Sequence, residues 1–541
     1  MNPPSAPAAF APGEHSLHDP SVLAQTVVDD PRQRRQILIA MCVGLVAVIA
    51  SVSGLNVALT KLAVDLDASQ NMLLWIANGY TMVLAALLLP VGAIGDRWGR
   101  KTVLLTGLVV FALASVAAAL AGSAELLLLA RLVAGAGAAM IMPVTLSVVT
   151  SSFPEEERAN AIGIWAGFAG AGGILGLFFS AAMVDSVGWR WLFVMPIALC
   201  IISFALTLRA VRNSREVHEH SFDVVGGVLS AVAIAGLVLA FHEGPENGWG
   251  EPLTLFGIVA AVLGAAAFVW WELRHPAPLL DVRLFKNRAL ASGSSNLLIV
   301  FAVMFGLFLV LVQFLQAVLG YSALRAAAGL LPMAALLMPL SSVAPRLVKR
   351  TGTRRLLILG TTIVAGGLVA AATLPSVEGG YLSVLPALML IGMGMGLVMT
   401  PSTVAITESL PAEKQGVASA LNDTVREVGG AVGVALLGSV LSAGYGSQIA
   451  GAAAQLPAEL QGPVKGGIGQ ALYIAAQMGP DGEGLAQAAR QAFVDGWHQA
   501  MWVGAAIAVG AVALLVLRGP KDEPAETVEA VEAAGMPAPV S

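Results

Sequence analysis

Two carboxylates and one arginine stand close together inside an apolar stretch near the C-terminal end of the chain. Asp423 and Glu427 are one helical turn apart, so a helix places them on one face, and Arg426 can pair with Asp423. A charge at the centre of a bilayer costs about 2.5–3.5 kcal/mol, so such residues usually serve a function. Desolvation favours the protonated acid, whereas Arg426 favours the carboxylate. This balance is typical of a site that takes up and releases protons, although a structural salt bridge in a partly wet cavity would use the same residues.

A further cation, Arg131, lies shortly after Glu125, near the beginning of another apolar stretch. Two interpretations are open. The guanidinium either faces the protein interior and takes part in the chemistry, or it extends back to the membrane surface, as long cationic side chains do.

The segment 92–101 is the densest group of charge between two apolar stretches. Three cations, Arg97, Arg100 and Lys101, accompany a single acid, Asp96. Cations in such a loop hold it on the cytoplasmic side of a membrane, but acids contribute little to this orientation. A carboxylate can instead stabilise a helix N-terminus by about 0.3–1 kcal/mol, and by up to ~2 kcal/mol when partly buried. Asp96 is therefore a candidate for a conformational latch.

The composition shows what surrounds these residues. Of the 541 residues, 57% are hydrophobic and 12% are charged, whereas soluble domains carry about 25% charged residues. A membrane-spanning helix needs roughly 20 apolar residues, and this criterion predicts an all-α integral membrane protein with fourteen spans. The predicted spans are 37–59, 72–94, 102–122, 125–150, 159–184, 190–209, 222–242, 253–272, 289–317, 325–347, 355–374, 382–407, 416–442 and 497–517.

Several other classes of protein are disfavoured. The net charge of −5 argues against a nucleic-acid partner. Cys42 and Cys200 both fall within apolar runs, which is typical of buried core residues, and no His or Cys has the spacing of a metal site. No pattern of a catalytic nucleophile or nucleotide-binding loop is present. We therefore expect neither an enzyme nor a bound metal or cofactor.

The cations also predict the orientation of the spans. Most of the 29 Lys and Arg residues fall on the side that carries 92–101, and the positive-inside rule makes that side cytoplasmic. An even number of spans places both termini there, as disordered tails over 1–36 and 519–541. On the outer side, the segment 443–496 is expected to form either a helical hairpin or a flexible loop.

A weak internal repeat divides the chain. Two six-span halves, 37–209 and 289–518, are separated by two inserted spans within 210–288. Parallel half-repeats of this kind build transporters that rock around a central substrate site. In the repeat of the 92–101 loop, Lys349 stands where the first copy has Asp96. The other pairs at this offset are Gly99 with Gly352, Arg97 with Arg350, and Gly107 with Gly360.

Four motifs make the chain resemble the major facilitator superfamily, and in particular its fourteen-span drug:proton antiporter branch. Gly92-x-x-x-Asp96-Arg97-x-Gly99-Arg100-Lys101 is similar to the superfamily's signature loop between spans 2 and 3. The other three resemble segments of multidrug exporters, and they are Leu55-Asn-Val-Ala-Leu59, Trp75-Ile-Ala-Asn-Gly-Tyr80 and Asn422-Asp-Thr-Val-Arg-Glu-Val-Gly429. The resemblance implies two six-helix bundles that work by alternating access, with two further helices inserted between them. It also implies that Arg131, Asp423 and Glu427, with Arg426, take part in proton coupling, and that Asp96 meets the start of span 13.

The chain departs from these exporters at positions where they carry acids. Ser51 replaces an acid of span 1, and Asn78 replaces one that some of them have in span 2. Because anionic residues attract cations, this loss favours neutral, monocationic or zwitterionic lipophilic substrates. The candidate residues for the substrate cavity are Ser51, Asn56, Asn78, Tyr80, Trp165, Gln313 and Gln316.

Glycines recur at helical spacing in span 5 and should form one face along which another helix packs closely. They are Gly163, Gly167, Gly170, Gly173 and Gly176. The antiporter motif of the family falls in this span, but Leu177 replaces its proline, so the kink attributed to that proline cannot form in the same way.

The function that these features favour is proton-driven export of lipophilic small molecules across a bacterial inner membrane, by a monomer surrounded by lipid. Two alternatives remain open. An exporter of lipids or lipopeptides with the same fold would suit the acid-poor cavity and the long outer segment. A membrane receptor or scaffold without transport activity is disfavoured by the intact 92–101 loop and the intramembrane acids.

Overall fold

The computed structural model describes residues 27–214 and 222–520, which form helices and no strand. The tail predictions for 1–26 and 521–541 lie outside these residues. Fourteen of the described helical segments are long and apolar enough to cross a membrane, so the predicted fold class is confirmed. The long helices are α1 Pro31–Asp65, α2 Gln70–Trp98, α3 Arg100–Ala119, α4 Ala124–Ser152, α5 Glu155–Ser186, α6 Val194–Ala210, α7 Val224–Asn247, α8 Pro252–Glu272, α9 Arg288–Gln313, α10 Leu331–Thr351, α11 Thr353–Thr373, α12 Gly380–Thr407, α13 Gln415–Ala453 and α14 Glu483–Arg518.

Two helices, α1 and α14, begin well before the predicted start of their spans. Helix α1 starts at Pro31 rather than at 37, because the Asp30 side chain caps the helix and proline suits its first turn. The predicted N-terminal tail, 1–36, is therefore too long, because residues 31–36 belong to α1. Helix α14 starts at Glu483 rather than at 497, since its first turns are helical but too polar to count as a membrane span.

The long helices form two bundles of six. Helices α1 to α6 pack on one another, as do α9 to α14. Of the inserted pair, α7 lies against α2 and α13, and α8 packs on α7. The bundles meet mainly where α2 contacts α13 and where α5 contacts α10. We call the end of the molecule that carries residues 92–101 the loop end.

The internal repeat is visible in the backbone. Gly99 joins α2 to α3 with φ of 106°, and Gly352 joins α10 to α11 with φ of 85°. Both values lie in the left-handed region, where only glycine is free of strain. The helix that follows packs closely in both halves, because Gly107 abuts α4 and Gly360 abuts α12.

The segment 443–496 is mostly helical, so the helical alternative is correct and the flexible loop is not. Helix α13 continues to Ala453, and two short helices, Ala458–Gly466 and Ile468–Gln477, precede α14. The second short helix buries Ile468 and Ile474 against the bundle and exposes Tyr473. This amphipathic pattern holds the segment on the protein surface.

The glycine face of α5 contacts two helices rather than one. A Cβ at Gly163 would lie 2.7 Å from the Ser341 carbonyl oxygen of α10, and one at Gly176 would lie 2.5 Å from the backbone of Ala50 in α1. Gly167 and Gly170 face α10, and Gly173 faces α1. The predicted close packing along this face is therefore present, and two helices share it, because α10 of the other bundle covers its loop-end half and α1 covers its other half.

Candidate functional site

Asp423 and Arg426 form a buried ion pair in the N-terminal third of α13. Asp423 has 0% exposure, and its Oδ1 accepts hydrogen bonds from Arg426 Nη1 at 3.1 Å and from Asn422 Nδ2 at 3.2 Å. Thr403 of α12 donates to Asn422 Oδ1 at 3.0 Å, which fixes the orientation of the amide. The second carboxylate oxygen, Oδ2, is buried without a hydrogen-bond partner, as is Arg426 Nε. Orphaned charged atoms of this kind are those that an internal water or a polar ligand group would satisfy.

Aromatic rings surround the other faces of the Arg426 guanidinium. Its centre lies 4.7 Å from the ring of Phe301 in α9 and 5.6 Å from the ring of Trp165 in α5. Trp165 is buried and donates from Nε1 to Thr145 Oγ1 at 3.1 Å. The pair therefore sits where α4, α5, α9 and α13 converge, between the two bundles.

Glu427 is half-buried one turn further along α13. It makes no hydrogen bond or ion pair with the described residues, in contrast to Asp423. Tyr80 lies within electrostatic range of both Glu427 and Arg131, so this ring is near both charges.

Arg131 points into the protein. Its side chain is 1% exposed, and Nη1 donates to Ser51 Oγ at 3.0 Å while Nε donates to the Ile76 carbonyl oxygen at 3.4 Å. The guanidinium also lies 4.2 Å from the ring centre of Tyr80. The alternative in which Arg131 extends to the membrane surface is therefore wrong, because the hydroxyl, carbonyl and ring acceptors of α1 and α2 hold it inside.

The remaining cavity candidates are divided. Tyr80 is buried and donates to the Val48 carbonyl oxygen at 3.3 Å, and Asn78 is half-buried one turn before Thr81. Gln313 and Gln316 are exposed near the end of α9 and lie outside the buried group. Asn56 belongs to α1, but its side chain is outside the described part.

At the loop end, Asp96 joins α2 to the first turn of α13. It is 2% exposed, and its two oxygens accept from the backbone N–H groups of Gly416 at 2.8 Å and Val417 at 3.1 Å. Arg100 Nη2 donates to the same carboxylate at 2.8 Å. A carboxylate here pairs with free N–H groups and with the positive end of the helix dipole. We call this group of Asp96, Arg100, Gly416 and Val417 the latch.

The neighbouring glycines and Lys101 bring the latch into position. A Cβ at Gly92 would lie 2.5 Å from the Gly416 carbonyl oxygen, so only glycine permits this approach of α2 to α13. Gly99 turns the chain into α3, and Lys101 donates to the Leu208 carbonyl oxygen at 2.9 Å. Arg97 is half-buried beside this group.

Sequence reasoning did not identify three residues of the buried group: Asn422 and Thr403, which orient Asp423, and Phe301, which covers Arg426. It also did not predict that Ser51 contacts Arg131. The polar residues among these carried a weak signal, since a polar side chain in an apolar span needs a partner. The signal does not say which span supplies that partner.

Two six-helix bundles with buried charges between them are the architecture of a transporter rather than of an enzyme. Residues 41–434 match the Major Facilitator Superfamily, and the chain belongs to that family.

Similar proteins agree with the drug-exporter branch. The chain is 33% identical over 407 residues to the multidrug resistance protein Stp of Mycobacterium tuberculosis, covering 75% of each chain. It is 31% identical over 522 residues to the tetracenomycin C resistance and export protein of Streptomyces glaucescens, covering 94% of this chain and 96% of that protein. The solved structure of the human organic anion transporter MFSD10 has a TM-score of 0.57 at 11% identity, covering 89% of this chain and 100% of that one. At that identity the structural similarity shows the fold alone.

Proposed function

We propose that this protein is a proton-coupled exporter of lipophilic small molecules in a bacterial plasma membrane. In this proposal the loop end and both termini lie on the cytoplasmic side of the membrane. The carrier works as a monomer without a bound cofactor. The names of its relatives support drug export. The observation that carries proton coupling is the placement of two carboxyl groups, Asp423 and Glu427, on α13, the helix whose first turn the latch holds.

The proposed cycle uses this shared helix. Substrate occupies the space between the bundles while Asp423 and Glu427 are ionised. Protons arriving from the outside neutralise these acids, and substrate leaves. Arg426 holds Asp423 in place and, once Asp423 is neutral, interacts with the rings around it. The latch keeps the cytoplasmic end closed during release, and proton loss to the cytoplasm after it opens resets the carrier.

Removing the two acids tests this assignment. In vesicles with an imposed proton gradient, Asp423→Asn and Glu427→Gln should each lower gradient-driven substrate export by about tenfold or more. Each variant removes a carboxyl group that can bind and release a proton during the cycle. Substrate-linked proton movement should fall with export. The measurement is paired recording of substrate and internal pH at several external pH values.

Glu125→Gln is the matched control, since Glu125 is an exposed carboxylate at the start of α4. It should retain export and its pH dependence. If both α13 variants exported as well as this control at every pH, the site assignment would be wrong. If the unmodified protein moved neither substrate nor protons, the proposed function itself would fail.

A further inference from the structure

The two buried arginines of the interior differ in their charge partners. Arg426 has the carboxylate of Asp423 at 3.1 Å. Arg131 has the Ser51 hydroxyl, two backbone carbonyl oxygens and the face of the Tyr80 ring. No carboxylate of the described residues lies within ion-pair distance of Arg131. Nor does any described group accept a hydrogen bond from its third nitrogen, Nη2.

A guanidinium does not lose its proton in a protein, so Arg131 keeps its positive charge. A buried charge without a counterion is costly, and neutral acceptors offset only part of that cost. We call the surface that α1, α2 and α4 form around Arg131, with Ser51, Ile76 and Tyr80, the wall. This wall therefore remains electropositive. Glu427, an acid without a partner among the described residues, stands on α13, and it too is within electrostatic range of Tyr80.

This arrangement restricts the charge of the substrate. A ligand with one positive charge can place it beside Glu427 and away from Arg131. A ligand with two positive charges brings the second toward the electropositive wall, and like charges brought together in a confined site repel each other strongly. A carboxylate or ionised phenol oxygen, by contrast, would give Arg131 Nη2 the acceptor that it lacks.

We infer that Ser51 and Arg131 form the site that sets the substrate's charge class. The site accepts an acidic oxygen of a lipophilic substrate beside Arg131 and rejects dications. This inference rests on the proposed export function. Ser51 is the specificity-determining residue, because a carboxylate at its position would lie within reach of Arg131 Nη1 and would neutralise the wall.

The test compares Ser51→Asp with Ser51→Asn, which are similar in size and differ by one charge. The purified full-length protein is reconstituted in vesicles and supplied with three probes. Methyl viologen carries two positive charges, tetraphenylphosphonium carries one, and dansylglycine carries a carboxylate on a lipophilic ring. Each result is expressed as a ratio to tetraphenylphosphonium transport, so that a change in overall rate cancels.

The aspartate variant should raise the methyl viologen ratio by about tenfold relative to the asparagine variant, the equivalent of about 1.4 kcal/mol. It should lower the dansylglycine ratio by a similar factor. Equal ratios in the two variants would overturn the inference, as would unmodified protein that prefers methyl viologen to dansylglycine. If no probe moves with the gradient in any form of the protein, the export function fails instead.

Equilibrium binding supplies a second measurement if an aspartate at position 51 prevents folding. Arg131→Gln in the purified chain should weaken dansylglycine binding by about tenfold while tetraphenylphosphonium binding is kept or strengthened. Binding does not require proton coupling, so this result separates recognition from transport. Equal loss of both probes would mean that Arg131 is structural, and the inference would then be wrong.

Discussion

The two bundles meet at the loop end through two contacts of different chemistry. Where α2 meets α13, the buried carboxylate of Asp96 accepts two backbone hydrogen bonds and an ion pair. Where α5 meets α10, Gly163 lets the helices approach until a Cβ would lie 2.7 Å from the Ser341 carbonyl oxygen. The first contact depends on a charge, whereas the second depends on shape.

This difference arises although the two halves are repeats. Lys349 takes the position of Asp96 in the second half and is exposed. Helix α5, the counterpart of α13, carries its own acids in its first turn, namely Glu155, Glu156 and Glu157. Helix α13 has none in its first turn, so the carboxylate that complements its dipole comes from the other bundle. The N-terminus of α13 is thereby stabilised by an acid of the other bundle, whereas the N-terminus of α5 is stabilised by acids of its own first turn.

The largest effect is expected from Asp96→Asn. The substitution keeps the size but leaves Arg100 as a buried charge without its counterion, and breaking one partner of a buried pair costs about 3–5 kcal/mol. The closed loop end should therefore lose population to the open one. The separation of the bundles is measured between spin labels at Glu156 and Arg346, which are exposed at the loop end of α5 and α10. Cys42 and Cys200 are replaced first, so that only the two introduced cysteines carry a label.

The matched comparison for Asp96→Asn is Glu156→Gln, which removes an exposed acid from the same end of the molecule. For this variant the α5 label is placed at the neighbouring Glu155, and the other label stays at Arg346. It should leave the distance distribution unchanged. An identical distribution for Asp96→Asn and the unmodified protein would mean that the latch does not hold the bundles together.

A smaller effect is expected from adding a methyl group to either contact. Gly92→Ala places a Cβ 2.5 Å from the Gly416 carbonyl oxygen, and Gly163→Ala places one 2.7 Å from that of Ser341. Overpacking against backbone typically costs about 1–3 kcal/mol, so each should shift the same distance distribution toward separation. Gly366→Ala is the control, because no atom lies within 4 Å of its Cβ position. If Gly163→Ala behaved like this control, the α5–α10 contact would not depend on shape.

Hydropathy was sufficient to predict the fourteen membrane helices, because the bilayer requires long apolar segments. It failed where helices extend beyond the membrane, as α14 does from Glu483. There the helix is held by packing of its apolar residues on the protein, and polar residues among them lower the hydropathy.

The site was predictable in part. The acids of α13 stood out because charge is rare in a membrane span. The contact of Ser51 with Arg131 did not stand out, since it joins spans that are distant in the sequence. Gln313 and Gln316, which polarity made candidates for the substrate cavity, are exposed near the end of α9, and their role stays a prediction. A polar residue in an apolar run does not reveal which face of its helix points inward.

The smallest effect is expected from Lys349→Asp, which gives the second half the acid of the first. If the repeat alone made a latch, this change would create a second one and hold the loop end more firmly closed. The first turn of α5 already carries Glu155, Glu156 and Glu157, so its dipole needs no further anion. An acid at the C-terminal turn of α10 is also unfavourable by about 0.3–1 kcal/mol. The distance distribution between the labels at Glu156 and Arg346 should therefore remain within error of the unmodified protein. A shift toward the closed state as large as the opposite shift in Asp96→Asn would show that the acid of the loop, rather than the helix it faces, determines where a latch forms.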